Sequence, residues 1–256
     1  MTQVLESNVD EAVALLDRKG NDGGSPTMLE VSNLRVAYGQ SEIIHDLSFS
    51  VSKGETLAIM GRNGMGKTTL MKSLIGILPS GSGTIAVDGK RVQAFDSWKR
   101  VKSGLAFVPQ GRQVFPLMTV EENIRTGLET VRKRSIPSYI YDLFPVLKEM
   151  RKRRAGNLSG GQQQQLAISR ALVSNPKVLL LDEPTEGIQP SIIKDIARAL
   201  NEIKKMRDLT IVVSEQVLSF TLEIADRILV VESGRIVHED LRSQVDEAKI
   251  ARYLSV

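Results

Sequence analysis

"TLAIMGRNGMGKTTLMKSLIGIL", residues 56–78, sets the architecture of this chain. Five apolar-leaning residues of strand type run into "GRNGMGKTT", residues 61–69, which satisfies G-x-x-x-x-G-K-[ST], and a stretch with helical spacing follows. Glycines at 61, 64 and 66 let the backbone curl so that successive N–H groups face one centre. The helix beginning near Lys67 adds the positive end of its dipole. Such a cradle suits phosphate, with Lys67 reaching the β- and γ-phosphates, Thr68 offering a hydroxyl to Mg²⁺ and Thr69 binding phosphate nearby. The expected nucleotide contacts on the loop are Gly61, Arg62, Asn63, Gly64, Met65, Gly66, Lys67, Thr68 and Thr69.

A second stretch completes the chemistry. In "VLLLDEP", residues 178–184, four apolar residues of a strand buried on both faces lead to Asp182 and Glu183. Asp182 is placed to hold the hydration shell of Mg²⁺, and Glu183 to polarise an attacking water. Nucleoside triphosphate hydrolysis is the expected reaction.

Around these motifs, "MLEVSNLRVAYG" (28–39), "LSFSVSKGETLAIMG" (47–61) and "SGTIAVDGKRV" (82–92) read as antiparallel strands cut by glycine turns. A charge-rich helical stretch follows at about 119–155. After "KVLLLDEP" come a helix (about 190–206), the strand "LTIVVSE", a helix (about 217–225) and the closing hairpin "RILVVESGRIVHE". The reading is an α/β, P-loop NTPase (RecA-like) core with an antiparallel β subdomain and a helical insertion. Residues 1–27 stand apart as an extension: helical spacing of Leu5, Val9, Ala12, Val13 and Leu16, then the linker "NDGGSPT". That extension reads as a frayed leader or as a docking helix.

The chain has 256 residues and no cysteine, which excludes disulfides, thiolate metal sites and cysteine nucleophiles. Two histidines, His45 and His238, are too few for a histidine-rich metal centre. The net charge of +4 selects no partner by itself. No run approaches the ~20 apolar residues of a membrane span, and the N-terminus lacks a secretory signal pattern. The basic cluster Lys148, Arg151, Lys152, Arg153 and Arg154 reads as a solvated helix face with a lipid-headgroup alternative. No aromatics interleave with it, so no nucleic-acid partner is expected.

Between the two motifs lies "NLSGGQQQQLAISRAL", residues 157–172. A P-loop, "LSGGQ" and an apolar strand ending Asp-Glu together resemble the ATP-binding cassette (ABC) family, over about residues 28–245. The resemblance implies an ABC-type nucleotide-binding domain over 28–256, with the helical insertion at about 111–160, ATP and Mg²⁺ as ligands, and ATP hydrolysis. In that family "LSGGQ" closes over ATP held by the other copy. Ser159 can cap the helix, and Gly160 and Gly161 allow a phosphate to approach its N-terminus. Gln162 belongs to the motif, and Gln163, Gln164 and Gln165 read as incidental helix formers. Tyr38 matches the adenine-stacking aromatic, against a plain strand tyrosine packed on its sheet. Gln110 in "FVPQGR" matches the glutamine that touches Mg²⁺, against a plain loop amide.

Two positions depart from the family pattern. Gln216, after "TIVVSE", stands where a histidine usually faces the γ-phosphate; it can orient water but cannot titrate near neutrality. Gln189 in "EPTEGIQP" stands where an aspartate is common. "LSGGQ" argues against a P-loop kinase or GTPase. "FVPQGRQVFPLMTVEENI" and "DEPTEGIQPSII" with "SEQVLSFTLEIADR" are similar to the importer branch for branched-chain amino acids and amides, urea importers above all. The implied partners are a second cassette subunit, identical or related, transmembrane permease subunits and, indirectly, a solute-binding protein. The implied place is the cytoplasmic face of the cell membrane. The alternative is a non-transport cassette, such as one for cofactor assembly.

Overall fold

The computed structural model describes residues 25–129, 131 and 135–254; the leader expectation falls largely on residues 1–24, outside them. Two sheets stack. In the first, β1 (Thr27–Tyr38), β2 (Ser41–Ser52), β4 (Ser82–Val87) and β5 (Lys90–Arg91) pair antiparallel in the order β2-β1-β4-β5. Leu29, Val31, Leu34 and Val36 of β1 are buried among exposed neighbours, the alternation that a half-covered strand requires.

The second sheet has the order β10-β9-β3-β8-β7-β6. It holds β3 (Thr56–Met60), β6 (Leu105–Val108), β7 (Val178–Asp182), β8 (Thr210–Glu215), β9 (Arg227–Glu232) and β10 (Arg235–Leu241), parallel except for the β9–β10 hairpin. Here one expectation is corrected. "TLAIM" does not continue the antiparallel subdomain; after a turn at Gly54 (φ 75°), it crosses into the parallel sheet between β8 and β9. All five of its residues are buried, and only a strand covered on both faces can bury five in a row.

The cover on the two faces differs. Leu57 and Ile59 join β1, β2 and the helix α1 (Lys67–Ile75) in one apolar cluster. Ala58 and Met60 point the other way, into a cluster with the helices α3 (Val120–Thr126), α4 (Ser138–Leu143), α5 (Pro145–Glu149), α6 (Gly160–Leu172), α7 (Pro190–Arg207) and α8 (Leu218–Ile224). The helices expected near 190–206 and 217–225 are α7 and α8. The sequence did not signal α2 (Ser97–Lys102), β6 or a last helix α9 (Glu247–Leu254).

The basic cluster is also corrected. Only Lys148 lies in a helix, α5; Arg151–Arg154 leave it as an exposed turn that ends in a bridge from Arg154 to Thr119. Among the described residues, no helix is long and apolar enough to cross a membrane.

Candidate active site

The loop 61–69 joins β3 to α1 at the C-terminal edge of the parallel strands. Two of its glycines are sterically required. A Cβ on Gly61 would lie 2.3 Å from the Val231 carbonyl oxygen, and one on Gly66 (φ 102°) 2.9 Å from Ile44 Cδ1. No side chain caps α1 and no acid sits in its first turn, so its leading N–H groups have no side-chain cap partner. Met65 is held against the β9–β10 turn, where its carbonyl accepts from Gly234 N at 3.1 Å.

Lys67 is buried, and its Nζ donates to the carbonyls of Gly61 (2.7 Å) and Arg62 (3.0 Å). The same nitrogen lies 3.3 Å from Glu183 Oε1. Glu183 follows the last residue of β7 with φ 47°, a left-handed turn that is costly for a side-chain-bearing residue. Its backbone N–H, bonded to the Ser214 carbonyl at 3.0 Å, helps to hold that turn. Three amide or ammonium groups converge on its carboxylate: besides Lys67, Gln216 Nε2 reaches Oε1 at 3.0 Å and Gln110 Nε2 reaches Oε2 at 3.2 Å. Gln216 Nε2 also donates to Asn63 Oδ1 at 2.7 Å.

Asp182 is buried at the end of β7. Its Oδ1 accepts from Ser214 Oγ at 2.6 Å and from Thr68 Oγ1 at 3.2 Å, while Oδ2 is buried without a protein partner. Burial pushes this carboxyl above its ordinary value, against the opposing pull of the Ser214 and Thr68 hydrogen bonds. A buried, orphaned carboxylate oxygen beside a hydroxyl is what a hydrated divalent cation would complete, so Asp182 and Thr68 fit Mg²⁺. Gln110 turns its amide nitrogen to Glu183 instead.

A cavity of about 280 Å³ gathers Tyr38, Asn63, Gly64, Gly66, Lys67, Thr68, Thr69, Gln110 and Glu183. Tyr38, the last residue of β1, is 49% exposed at the edge of this cavity. A larger groove of about 620 Å³ lies elsewhere, lined by Phe107, Val114, Phe115, Thr126 and Arg170 among others.

Ser159, Gly160, Gly161 and Gln162 do not line the loop cavity. Ser159 and Gln162 close a reciprocal cap on α6: Gln162 N donates to Ser159 Oγ at 3.3 Å and Ser159 N to Gln162 Oε1 at 3.0 Å. Gly161 packs against α7, where a Cβ would come within 2.7 Å of Ile192 Cγ2. The other glutamines are not incidental. Gln163 Nε2 donates to the carbonyls of Ala155 (3.2 Å) and Leu158 (3.4 Å), and Gln164 and Gln165 are buried. Gln189 is the N-cap residue of α7, without a side-chain cap bond.

Two contributors escaped the sequence reading. Ser214, the polar residue that follows the apolar run of β8, ties Asp182 to Glu183. Arg112 (φ 67°) lays its guanidinium beside Gly160 and donates to the Glu186 carbonyl at 2.9 Å.

A glycine-rich loop beside a strand-end Asp-Glu pair, with a separately capped Ser-Gly-Gly-Gln turn outside the loop cavity, is the design of a P-loop ATPase built as a cassette. Comparison with known proteins carries this further. Residues 44–186 match the ABC transporter family, and the chain belongs to it. It is 40% identical to the high-affinity branched-chain amino acid transport ATP-binding protein BraG of Pseudomonas aeruginosa, over 83% of this chain and 92% of the relative. A probable branched-chain amino acid transport ATP-binding protein, LivF of Archaeoglobus fulgidus, is 36% identical over 86% and 94% of the two chains. Among solved structures, a nucleotide-free ATP-binding cassette from an ABC transporter superposes with a TM-score of 0.77 at 28% identity, over 90% of this chain and 96% of that one. The chain is an ATP hydrolase of the transport type.

Proposed function

We propose that this ATPase powers import of a small polar solute, a branched-chain amino acid or a short amide such as urea, through separate permease subunits at the inner face of the cell membrane. The observation that carries the reading is the likeness to BraG, which spans 92% of that relative's length. The urea-like motif texture of 182–193 and 214–227 supports the amide end of the range.

ATP would enter the loop cavity with its adenine on Tyr38 and its phosphates on the N–H groups of residues 61–69. Lys67 would exchange the Gly61 and Arg62 carbonyls for β- and γ-phosphate oxygens. Mg²⁺, held through Thr68, Asp182 and the Gln110 carboxamide, would neutralise phosphate charge. Once Lys67 has turned to phosphate and Gln110 to the metal, Glu183 keeps Gln216 on Oε1, and Oε2 is free to accept a proton from water. Water oxygen bonds to the γ-phosphorus, the bond to the bridging oxygen breaks, and ADP and phosphate result. Gln216, steadied by Asn63, orients that water without titrating.

Ser159, Gly160, Gly161 and Gln162 lie outside the cavity of their own chain, which supports a second cassette as their target. The cap leaves the α6 N-terminus free to meet the γ-phosphate of that partner's ATP. Residues from about 111 to 160 act as the helical insertion of the 28–256 domain. The 620 Å³ groove is lined partly by Gln113, Val114 and Phe115, close behind Gln110. A permease segment seated there would be moved by whatever moves Gln110. Purification from native membranes tests the reading: permease chains and a capture protein holding an amide or a branched-chain amino acid should accompany the subunit. An assembly scaffold in their place would refute it.

A further inference from the structure

The short helix α2 has two dissimilar faces. Arg100 points inward and is 2% exposed. Its guanidinium donates to the carbonyls of Ser73 (2.6 Å), Gln93 (2.8 Å), Leu74 (2.9 Å) and Phe95 (2.9 Å). Ser73 and Leu74 lie in the last turn of α1, so the helix that starts at the phosphate loop ends on this cation, as its dipole favours. Four such bonds fix α2 rigidly.

The outward face carries Trp98, which is 56% exposed. The ammonium groups of Lys102 and Lys99 lie 4.7 Å and 5.3 Å from its ring centre. Ile77, 57% exposed, follows Gly76, whose carbonyl accepts from Ser97 of α2. Beside them opens a cavity of about 450 Å³ lined by Lys90, Lys102 and Lys177, at the starting ends of β6 and β7 and therefore at the opposite edge of the sheet from Asp182. Lys177 pairs with Asp88, and Lys99 reaches Asp96 at 3.7 Å. Lys90, Arg91 and Lys102 have no carboxylate within ion-pair distance among the described residues. The cavity shares Val101 and Ser174 with the 620 Å³ groove.

We infer that this surface, Trp98 with Lys90, Lys99 and Lys102, docks on an anionic lipid bilayer. An indole with one polar atom gains most at a boundary between water and hydrocarbon, and lysines around it, Lys90 and Lys102 without a carboxylate partner and Lys99 shared with Asp96, gain from anionic headgroups. Both features coincide here. The other basic cluster, at 148–154, also has exposed apolar side chains beside it, Leu117 and Met118 next to the Thr119–Arg154 bridge, but no indole. The inference goes beyond the importer reading, since headgroup contact requires neither solute nor permease.

Trp98 is the only tryptophan, so intrinsic emission reports on this face alone. The full chain is titrated with vesicles of equal parts phosphatidylcholine and phosphatidylglycerol, with pure phosphatidylcholine vesicles, and with inorganic phosphate. A blue shift and loss of iodide quenching are expected with the anionic vesicles only. The double change Lys99→Glu, Lys102→Glu should weaken vesicle affinity at least ~10-fold at low salt while ATPase activity stays at its unaltered level. No shift at saturating anionic lipid, or an equal shift with pure phosphatidylcholine, overturns the inference. So does the same shift with free phosphate. Sedimentation with vesicles at unchanged Trp98 emission, abolished by reversing Lys148 and Lys152, would assign the contact to the other cluster and refute this one.

Discussion

Gln216 donates one amide nitrogen to both Glu183 (3.0 Å) and Asn63 (2.7 Å), which joins strand β8, the end of β7 and the phosphate loop through a group that carries no charge. Hydrolysis should therefore lack the histidine limb near ~6.5 that a titrating residue there would impose. Neither histidine lines the loop cavity: His45 faces Glu42 and His238 faces Asp240. Single-turnover rates against pH are the check. Gln216→His should create a limb in that range; a limb already present in the unaltered protein, and absent from Gln216→Leu, would contradict the assignment.

Asp182 gives a stability prediction with a definite sign. Burial holds its pKa above the unfolded value, so between the two the native state keeps a proton that the unfolded chain has lost. Native stability falls as pH rises through that window, and the full cost applies above it. Asp182→Asn removes the charge. Without nucleotide, the variant should melt a few degrees above the parent in mildly alkaline buffer, at about 2–4 °C per kcal/mol for a chain of this size. The gap should close as pH falls through the window. Magnesium should no longer strengthen its ATP binding. A variant that melts below the parent at every pH would mean that the charge is net stabilising.

Gly161 and Ser159 should separate packing from capping. A methyl group on Gly161 meets Ile192, so Gly161→Ala should cost about 1–3 kcal/mol by overpacking, and Ile192→Ala in the same chain should return part of it. Ser159→Ala removes one cap bond and should cost only about 1 kcal/mol. Its loss of ATPase activity should exceed that of Gly161→Ala. Equal activity losses in melted-corrected assays would place both residues in the scaffold alone.

The glycine loop and the Asp-Glu strand end were legible in the sequence because their constraints are local. Gly61 and Gly66 sit where backbone or a packed isoleucine leaves no room, and Asp182 ends a run that only a doubly covered strand tolerates. What depends on distant partners was not legible. "TLAIM" reads the same in either sheet, and the choice rests on β8 and β9, about 150 residues away by the pairing of Thr56 with Ile211. β6 has four residues and α2 has six, too few for a periodic signal. The glutamine run looked repetitive, yet Gln163 fastens the turn at 155–158 and its two successors are buried. Arg112 gave no signal, because its partners are carbonyl oxygens.

Glu183→Gln should keep ATP bound and slow the chemical step by ~10²-fold or more, since the general base is lost while the phosphate cradle stays whole. The account rests, however, on each site being finished by a second cassette. ATP turnover per chain, measured as the protein is diluted at saturating Mg²⁺ and ATP, tests this most directly. The rate per chain should fall with dilution, and the Glu183→Gln variant should remain associated under the same conditions. A rate per chain that stays constant down to concentrations where only monomer is present would contradict the account.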